Sequence, residues 1–419
     1  MEFSKYIISE SLSADKVILL STISGSMIAL DIIKFNSLRK NDFTCFTDTE
    51  LDALKRMSFV CEENEFEQII SNRRNLVENS STKPLKLTIL TTSYCNANCY
   101  YCFEKENTKC NKAHMSRETA DTIIDYIKSN HNDAPVHIGW FGGEPLLKKD
   151  MINYISDALR KCNIEFESSM ISNGILLDSC TPDEIKKWNL TKIQITVDAI
   201  GEEYNSIKNV RNENNAFQHL MKNIHYLLSL NVFTQLRVNF DALEVQKALE
   251  TIDYIYEEFG NHPKLYVYAN HLFGETFTSP LDMPDNANPY IALTERLMEY
   301  NYVRNTRDIG IKPKNVFCGI YGNYFVIDPE GNFFKCEHMI GNPNNIVGDV
   351  EHGITNEKEL QYWTSVQLPY DECKNCVLLP CCQGGCKANS KELDQKFVCL
   401  PIKNCIKKLI IMYYKKGVK

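Results

Sequence analysis

The chain has 419 residues, enough for two or three domains and a large buried core. Hydrophobic residues make up 43% and charged residues 24%, as in ordinary globular proteins. The net charge of −8 argues against a general nucleic-acid surface, and no apolar run approaches the ~20 residues that cross a membrane. The start of the chain is acidic and polar where a signal peptide is basic and apolar. The sequence therefore predicts a cytoplasmic protein with neither nucleic-acid nor membrane partners.

Cysteine is frequent, with 17 residues. Because the cytosol keeps thiols reduced, metal binding is the preferred interpretation and a disulfide framework is not. Most cysteines fall into two groups, one within residues 95–102 and the other within residues 318–405. The remaining ones are scattered singly: Cys45, Cys61, Cys110, Cys162 and Cys180.

Residues 1–80 contain strand-like and helix-like stretches without a chemical motif, and they predict a small α+β domain. The apolar stretch "LKLTIL" then predicts a buried strand that leads directly into the first cysteine group. Up to residue 280, five further apolar strands alternate with amphipathic helical stretches. These strands begin in "PVHIGW", "FESSMIS", "KIQITV", "TQLRVNF" and "KLYVYANH".

Six strand–helix units in a row predict a parallel sheet with helices on its outer face, closed wholly or partly into a barrel. Functional side chains of parallel barrels gather at the carboxyl ends of the strands. Residues 281–314 predict a helical bridge, and residues 315–419 predict short strands and loops, including the hairpin "NYFVIDPEGNFFKC". This last region has little apolar material, so metal ligation is expected to supply much of its folding energy.

The first cysteine group places Cys95, Cys99 and Cys102 on one loop, where their thiolates can face a single inorganic centre. Thiolates suit zinc or iron–sulfur clusters. Zinc requires a fourth ligand, for which Cys110 is the candidate. A cubane cluster held by three thiolates instead leaves one iron free to bind another molecule.

The run "CNANCYYC" resembles the CxxxCxxC signature of the radical S-adenosylmethionine (SAM) superfamily, with Tyr101 as the aromatic residue between the last two cysteines. In that family the free iron binds the amino and carboxylate groups of SAM. The reduced cluster cleaves SAM to a 5′-deoxyadenosyl radical, which abstracts hydrogen from the substrate. The resemblance covers residues 84–280 and implies a partial (β/α)6 radical SAM barrel.

Motifs at later strand ends support the resemblance. Gly142, Gly143 and Glu144 resemble the family's GGE motif, whose glycines permit close backbone approach and whose acid meets the SAM ammonium group. Each motif alone also fits an ordinary polar loop, and the order along the chain carries the resemblance. The further SAM-binding residues that it implies are Ser172, Asn173, Asp198 and Arg211.

The second cysteine group resembles the SPASM extension, which holds two auxiliary [4Fe–4S] clusters in radical SAM enzymes that modify peptides and proteins. Gly331 suits the hairpin turn between its first two cysteines. The resemblance assigns Cys318, Cys336 and Cys386 to the first auxiliary cluster, and Cys373, Cys376, Cys382 and Cys399 to the second.

Three points about these clusters stay open. Cys381 is an alternative to Cys382, and Cys405 is an alternative to Cys399. The first auxiliary set has three cysteines, so a non-cysteine group or Cys381 completes it, or one iron stays open for a substrate thiolate.

Glu337 follows Cys336 where sulfatase-maturing relatives carry an aspartate proposed as general base, and an anionic cluster would raise the pKa of such an acid. A solvated surface acid is the alternative.

Residues 1–80 loosely resemble the winged-helix domain with which peptide maturases bind the leader of a precursor peptide. The resemblance therefore implies a peptide maturase that forms a thioether crosslink from a cysteine. It implies three [4Fe–4S] clusters, SAM, and an electron donor such as flavodoxin or ferredoxin. Carbon–carbon or carbon–oxygen crosslinking of a precursor peptide, sulfatase maturation by formylglycine formation, a non-catalytic iron–sulfur electron carrier and a zinc-binding interaction protein are the alternative functions. For residues 1–80, the alternative to leader recognition is a structural cap.

Overall fold

A computed structural model describes the whole chain except residues 63, 107–112, 132, 273–276, 304–310, 312, 315–317, 319–321, 393–398 and 418–419. Cys110, the candidate fourth zinc ligand, lies outside the described residues. Among the described residues, no helix has both the length and the apolar character that a membrane span needs.

The N-terminal part is an α+β unit, as predicted. Its strands β2, β3 and β4 form an antiparallel sheet, and the short strands β1 and β5 pair with each other. Thr47 caps α2 through a capping box, which explains why that helix begins at this point. The elements are β1 (Glu2–Phe3), β2 (Ile7–Ser11), β3 (Lys16–Ser21), β4 (Met27–Asp31), α1 (Ile32–Arg39), α2 (Asp48–Arg56), β5 (Val60–Cys61) and α3 (Glu65–Glu78).

The central part contains the six predicted strands, which lie side by side in chain order and run parallel. The predicted fold class, α/β with a large parallel sheet, is confirmed. The strands are β6 (Lys86–Leu90), β7 (Val136–Phe141), β8 (Phe166–Ser172), β9 (Leu190–Thr196), β10 (Phe233–Phe240) and β11 (Leu265–His271). The helices are α4 (Phe103–Glu106), α5 (Arg117–Asn130), α6 (Lys149–Lys161), α7 (Pro182–Lys187), α8 (Gly201–Lys208), α9 (Ala216–Ser229), α10 (Val245–Phe259) and α11 (Pro289–Glu299).

The two faces of this sheet differ in burial. In β10, Leu236 and Val238 are fully buried beneath the helices, whereas Gln235 and Arg237 on the opposite face are partly exposed. Successive residues of a strand point to opposite faces, so this alternation repeats along the sheet. The helix-covered outer face is the main core, and the polar inner face stays accessible.

The C-terminal part continues the same sheet. β12 pairs in parallel with β6, and β13, β14 and β15 follow in antiparallel order, which gives ten strands in all. The predicted hairpin is present, and Gly331 has a φ of +92° at its turn. The elements are β12 (Tyr324–Ile327), β13 (Asn332–Phe334), β14 (Gly348–Asp349), β15 (Gly353–Ile354), α12 (Glu357–Thr364), α13 (Leu379–Cys382), α14 (Lys387–Glu392) and α15 (Ile406–Lys415).

The expectation that this region has little apolar material is wrong. Val326, Ile327, Phe333 and Phe334 are fully buried in the main core, because β12 and β13 extend the central sheet. Apolar packing therefore anchors the start of the C-terminal part independently of any metal.

Candidate active site

The loops that follow β6 to β9 meet at one edge of the sheet, since these four strands are parallel neighbours. The cysteine triad follows β6, the GGE motif follows β7, Ser172 and Asn173 end β8, and Asp198 follows β9. The residues predicted to surround SAM are thus brought to the same edge, with Arg211 as the exception described below.

The glycine pair holds the cysteine loop against β7. The N–H of Gly143 donates to the carbonyl oxygen of Thr92 at 3.0 Å, and the N–H of Glu144 donates to that of Tyr94 at 2.9 Å. A Cβ atom on Gly142 would lie 2.2 Å from the carbonyl oxygen of Thr92, and one on Gly143 would lie 2.3 Å from that of Tyr94. Gly142 also has a φ of +132°. Side chains at these positions would push the cysteine loop away from the strand.

Glu144 is fully buried and links the ends of β7 and β8. Its carboxylate accepts hydrogen bonds from the Ser172 hydroxyl at 2.9 Å, the Asn173 N–H at 2.9 Å and the Leu146 N–H at 3.2 Å. Burial raises the pKa of Glu144 to about 7, although these hydrogen bonds oppose the shift. Glu144 therefore positions the two neighbouring residues that the sequence assigned to SAM.

Asn173 contacts the cysteine loop directly. Its amide nitrogen donates to Asn96 Oδ1 at 2.7 Å and lies 3.7 Å from Cys95 Sγ. Its Oδ1 accepts from the Ile175 N–H at 3.0 Å, which fixes the orientation of the amide. The end of β8 thus supports the first cysteine of the triad.

The three thiols of the triad are partly exposed. Burial raises the pKa of Cys95 to about 12, and the neighbouring Glu144, Cys99 and Cys102 raise it too. Within the described part of the chain, no three Cys, His, Asp or Glu side chains are close enough to chelate one metal ion. The triad is compatible with a cubane cluster, whose thiolates each bind a different iron.

A buried network joins the triad to the end of β9. The Tyr101 hydroxyl donates to Asp198 Oδ2 at 2.6 Å, and Lys208 Nζ lies 2.7 Å from both of these oxygens. The side chains of Asp198 and Lys208 are each only 4% exposed. Burial opposes the charge on Lys208, but Asp198 and Tyr101 hold its pKa well above the usual value. The network keeps the ammonium group of Lys208 charged inside the protein.

Asp198 Oδ1 is buried and has no hydrogen-bond partner in the described structure. Asp198 lines a cavity together with Tyr100, Tyr101, Asn239 and Lys247. An unpaired carboxylate oxygen in such a place costs free energy unless a ligand donates to it. The site therefore fits a ligand that offers hydroxyl or ammonium donors, as SAM does.

Lys208 was missed by the sequence interpretation, because it resembles an ordinary surface lysine at the end of an amphipathic helix. Its backbone carbonyl accepts from the Asn98 N–H at 2.8 Å, so α8 ends against the cysteine loop. The N–H of Arg211 likewise donates to the Asn96 carbonyl oxygen at 2.8 Å. The side chain of Arg211, however, is exposed, and the structure does not bring it into the buried site.

The three cysteines of the predicted first auxiliary set lie near one another. Burial raises the pKa of Cys336, and the neighbouring Glu337, Cys386 and Cys318 raise it too. Glu337 Oε1 accepts a hydrogen bond of 2.5 Å from Tyr324, whose hydroxyl also lies 3.0 Å from the Thr88 hydroxyl. Glu337 is thus held beside Cys336 by a side chain of β12.

The four cysteines of the predicted second set also lie together. Burial raises the pKa of Cys382 to about 11, and the neighbouring Cys399, Cys376 and Cys373 raise it too. The two alternative cysteines point elsewhere and are almost fully buried: Cys381 Sγ lies 3.3 Å from the carbonyl oxygen of Thr22, and Cys405 Sγ lies 3.5 Å from that of Ile402.

Residues 89–255 match the profile of the Radical SAM superfamily. These residues run from β6 into α10 and include the triad, the GGE motif, the β8 and β9 ends and Lys208. The chain therefore contains a radical SAM domain.

More particular likenesses reach beyond this domain. The chain is 23% identical over 358 residues to the radical SAM cyclopropyl synthase TigE of Paramaledivibacter caminithermalis, which covers 77% of this chain and 72% of TigE. It is 24% identical over 347 residues to a cysteine-type anaerobic sulfatase-maturating enzyme of Clostridium novyi, covering 72% of this chain and 87% of that enzyme. The crystal structure of Streptococcus suis SuiB bound to S-adenosylmethionine matches 94% of this chain and 97% of SuiB with a TM-score of 0.54 and 17% identity. SuiB has also been solved bound to its precursor peptide SuiA.

Proposed function

We propose that this radical SAM enzyme matures a precursor peptide by abstracting hydrogen from one of its residues. The observation that carries the proposal is the N-terminal α+β unit, which is joined to the barrel and to the C-terminal cysteine region. A fold of this whole extent is shared with SuiB, which binds a precursor peptide. The unit is proposed to bind the leader of the precursor, and the barrel the segment that is modified.

In this proposal Cys95, Cys99 and Cys102 hold the cluster that binds SAM. When bound and reduced, that cluster supplies the electron that cleaves SAM to a 5′-deoxyadenosyl radical. Asp198 would accept from a donor of SAM through its unpaired Oδ1, while Lys208 and Tyr101 hold the carboxylate in place. Glu144 would keep Ser172 and Asn173 in position and contribute negative charge towards the SAM ammonium group.

The C-terminal cysteines are proposed to hold two auxiliary clusters, giving three [4Fe–4S] clusters in all. Cys318, Cys336 and Cys386 would hold one, and Cys373, Cys376, Cys382 and Cys399 the other. A thioether crosslink is the leading reaction, because the first set has three cysteines and Cys381, the candidate fourth, faces the carbonyl oxygen of Thr22. An iron without a fourth protein ligand would be free to bind the thiolate of a substrate cysteine. An external reductant such as flavodoxin or ferredoxin is proposed as the electron donor.

Glu337 favours sulfatase maturation as the second candidate function. Its carboxylate is fixed by Tyr324 beside Cys336, as a general base for formylglycine formation requires. The sequence similarity to the sulfatase-maturating enzyme of Clostridium novyi also favours this second candidate. Carbon–carbon and carbon–oxygen crosslinks use the same first step and differ from a thioether only in the product.

The test is co-expression under anaerobic conditions with each short reading frame encoded beside the gene, followed by tandem mass spectrometry of the peptide. A crosslink removes two hydrogens, so we expect a loss of about 2 Da per crosslink. The matched control is Cys99→Ala, which should yield unmodified peptide. Formylglycine in a sulfatase peptide with unmodified precursors would contradict the proposal and favour the second candidate.

A further inference from the structure

The inner face of the sheet carries a polar surface that faces the space enclosed by the barrel. We call it the inner wall. In the strand register, Arg237 of β10 lies between Thr196 of β9 and Tyr268 of β11. Gln235, two residues earlier in β10, belongs to the same face of the sheet. These side chains are partly exposed, whereas the alternate residues of the same strands are buried under the helices. The inner wall is therefore accessible to a molecule that enters the barrel.

Arg237 is the cation of the inner wall, and the described residues do not neutralise it. Its Nε donates to Asn239 Oδ1 at 2.8 Å, and no carboxylate of the described residues forms an ion pair with it. In contrast, the buried Lys208 is paired with Asp198. A partly buried guanidinium gains free energy from a nearby anion, and the described residues supply none.

The charge of Arg237 acts on four groups of other elements, none of which is a carboxylate. They are Tyr268 and His271 of β11, Tyr290 of α11 and His338 beside Glu337. Burial lowers the pKa of His271 to about 4, and the charge of Arg237 lowers it too. The positive potential of Arg237 thus extends over this part of the inner wall.

The position of Arg237 relates it to the reacting centre. Asn239, to which it donates, lines the same cavity as Tyr101 and Asp198. On the other side, His338 stacks on Phe103, with ring centroids 4.3 Å apart, and Phe103 directly follows Cys102. Arg237 therefore lies between the proposed SAM site and His338, which adjoins the first auxiliary set.

We propose that Arg237 binds a carboxylate of the peptide substrate and so positions the residue to be modified. This inference rests on the proposed function and adds a specificity to it. A guanidinium binds a carboxylate through two parallel N–H···O bonds, which fix orientation as well as distance. The carboxylate comes either from an Asp or Glu side chain near the modified residue or from the C-terminus of the peptide.

The test uses three pools of synthetic decapeptides whose other positions are uncharged. The first pool contains one glutamate and ends in an amide, the second replaces that glutamate by glutamine, and the third is the glutamine pool with a free C-terminal carboxylate. Retention by the anaerobically reconstituted enzyme with SAM is measured by equilibrium dialysis and mass spectrometry. We expect wild-type protein to retain at least one carboxylate pool about tenfold better than the glutamine amide pool.

Arg237→Gln should abolish this preference, and Arg237→Lys should reduce it several-fold, because lysine keeps the charge but not the two-pronged geometry. If Arg237→Gln does not fold, the carboxylate preference of Arg237→Lys provides the test. Lys222→Gln removes one positive charge from the exposed outer side of α9 and should keep the full preference. The two carboxylate pools distinguish a side-chain carboxylate from a terminal one.

Equal retention of all pools by the wild type, or an unchanged preference in both Arg237 variants, would overturn the inference. Formation of 5′-deoxyadenosine without peptide is measured in Arg237→Gln and in Asp198→Asn. A fall as large as that caused by Asp198→Asn would mean that Arg237 holds SAM and not the substrate, which also overturns it. A wild type that forms no 5′-deoxyadenosine would instead contradict the proposed function.

Discussion

Single residues at this site depend on partners that are distant in the sequence. Tyr101, Asp198 and Lys208 form one buried network, although they come from three separate loops and helices. The motif pattern predicted the first two residues: Tyr101 stands between the last two cysteines of the triad, and Asp198 follows a predicted strand. Lys208 and Arg237 could not be predicted, because their significance arises from burial and from the presence or absence of a counter-ion.

Loss of the buried cation should be costly. In Lys208→Met the Asp198 carboxylate would remain buried without its ion pair, and we expect the free energy of unfolding to fall by about 3–5 kcal/mol. Lys128→Met, which removes an exposed ion pair with Asp125, should cost no more than about 1 kcal/mol. The double variant Asp198→Asn with Lys208→Met should recover much of the loss. Denaturant unfolding measures the free energy of unfolding of the two single lysine variants and of the double variant. An equal loss in the two single lysine variants would refute the buried network.

Glu144 should make stability depend on pH. Its folded pKa is about 7 and its ordinary value is 4.5, so the folded protein holds the proton more tightly than the unfolded chain. The contribution of protonated Glu144 to the free energy of unfolding is complete below about pH 4.5 and is lost as the pH rises through about 7. The free energy of unfolding should therefore fall by about 3 kcal/mol over this range. Unfolding of the metal-free protein should show this decline, and Glu144→Gln should remove it. Glu165→Gln, at an exposed position, should keep the decline; a decline that persists in Glu144→Gln would contradict the assignment.

At the scale of elements, the six strands of the central sheet were predicted because each is an apolar run between an amphipathic helix and a polar loop. The hairpin around Gly331 was predicted for the same kind of local reason. The pairing of β12 with β6 was not, since a short strand does not show which edge it will join. The close contact between the glycine pair and the cysteine loop likewise required the structure, because it joins the ends of two different strands.

The glycine pair can be tested by adding one methyl group. In Gly143→Ala the new Cβ would lie 2.3 Å from the Tyr94 carbonyl oxygen and 2.9 Å from the Cys95 nitrogen, so the cysteine loop must move. We expect a loss of about 1–3 kcal/mol of stability and a several-fold lower iron content after reconstitution. In Gly139→Ala, within β7, the nearest atom to the new Cβ is the Thr88 hydroxyl oxygen at 3.2 Å, and the effect should be much smaller. Normal iron content in Gly143→Ala would contradict this role.

At the scale of the whole molecule, the central strand of the N-terminal sheet, β3, is buried on both faces. One face of β3 packs with the C-terminal part, where Ile18 and Leu20 share a core with Leu378 and Leu409. The Thr22 hydroxyl also lies 2.6 Å from the Val377 carbonyl oxygen. The division into domains at residues 80, 280 and 315 remains a prediction, but the apolar contacts tie its first part to its last. The sequence could not predict this contact, because apolar alternation does not identify the partner surface.

The two faces of β3 provide a matched pair of variants. Ile18 faces the C-terminal part, and the adjacent Leu19 faces the core of the N-terminal unit itself; both are fully buried. We expect each alanine variant to lose about 2–5 kcal/mol of stability. Hydrogen exchange should separate them: Ile18→Ala should also speed exchange in residues 378–382 and 405–411, whereas Leu19→Ala should affect residues 1–61. The same exchange pattern in both variants would contradict the shared core.

The central claim is that this enzyme abstracts hydrogen from a peptide. The most direct measurement incubates the reduced, reconstituted enzyme with SAM and a fully deuterated precursor peptide, and determines the mass of the 5′-deoxyadenosine that forms. The account predicts that deuterium passes from the peptide into 5′-deoxyadenosine, and that Cys99→Ala forms neither labelled nor unlabelled product. Abundant 5′-deoxyadenosine without deuterium, from every precursor encoded beside the gene, would contradict it.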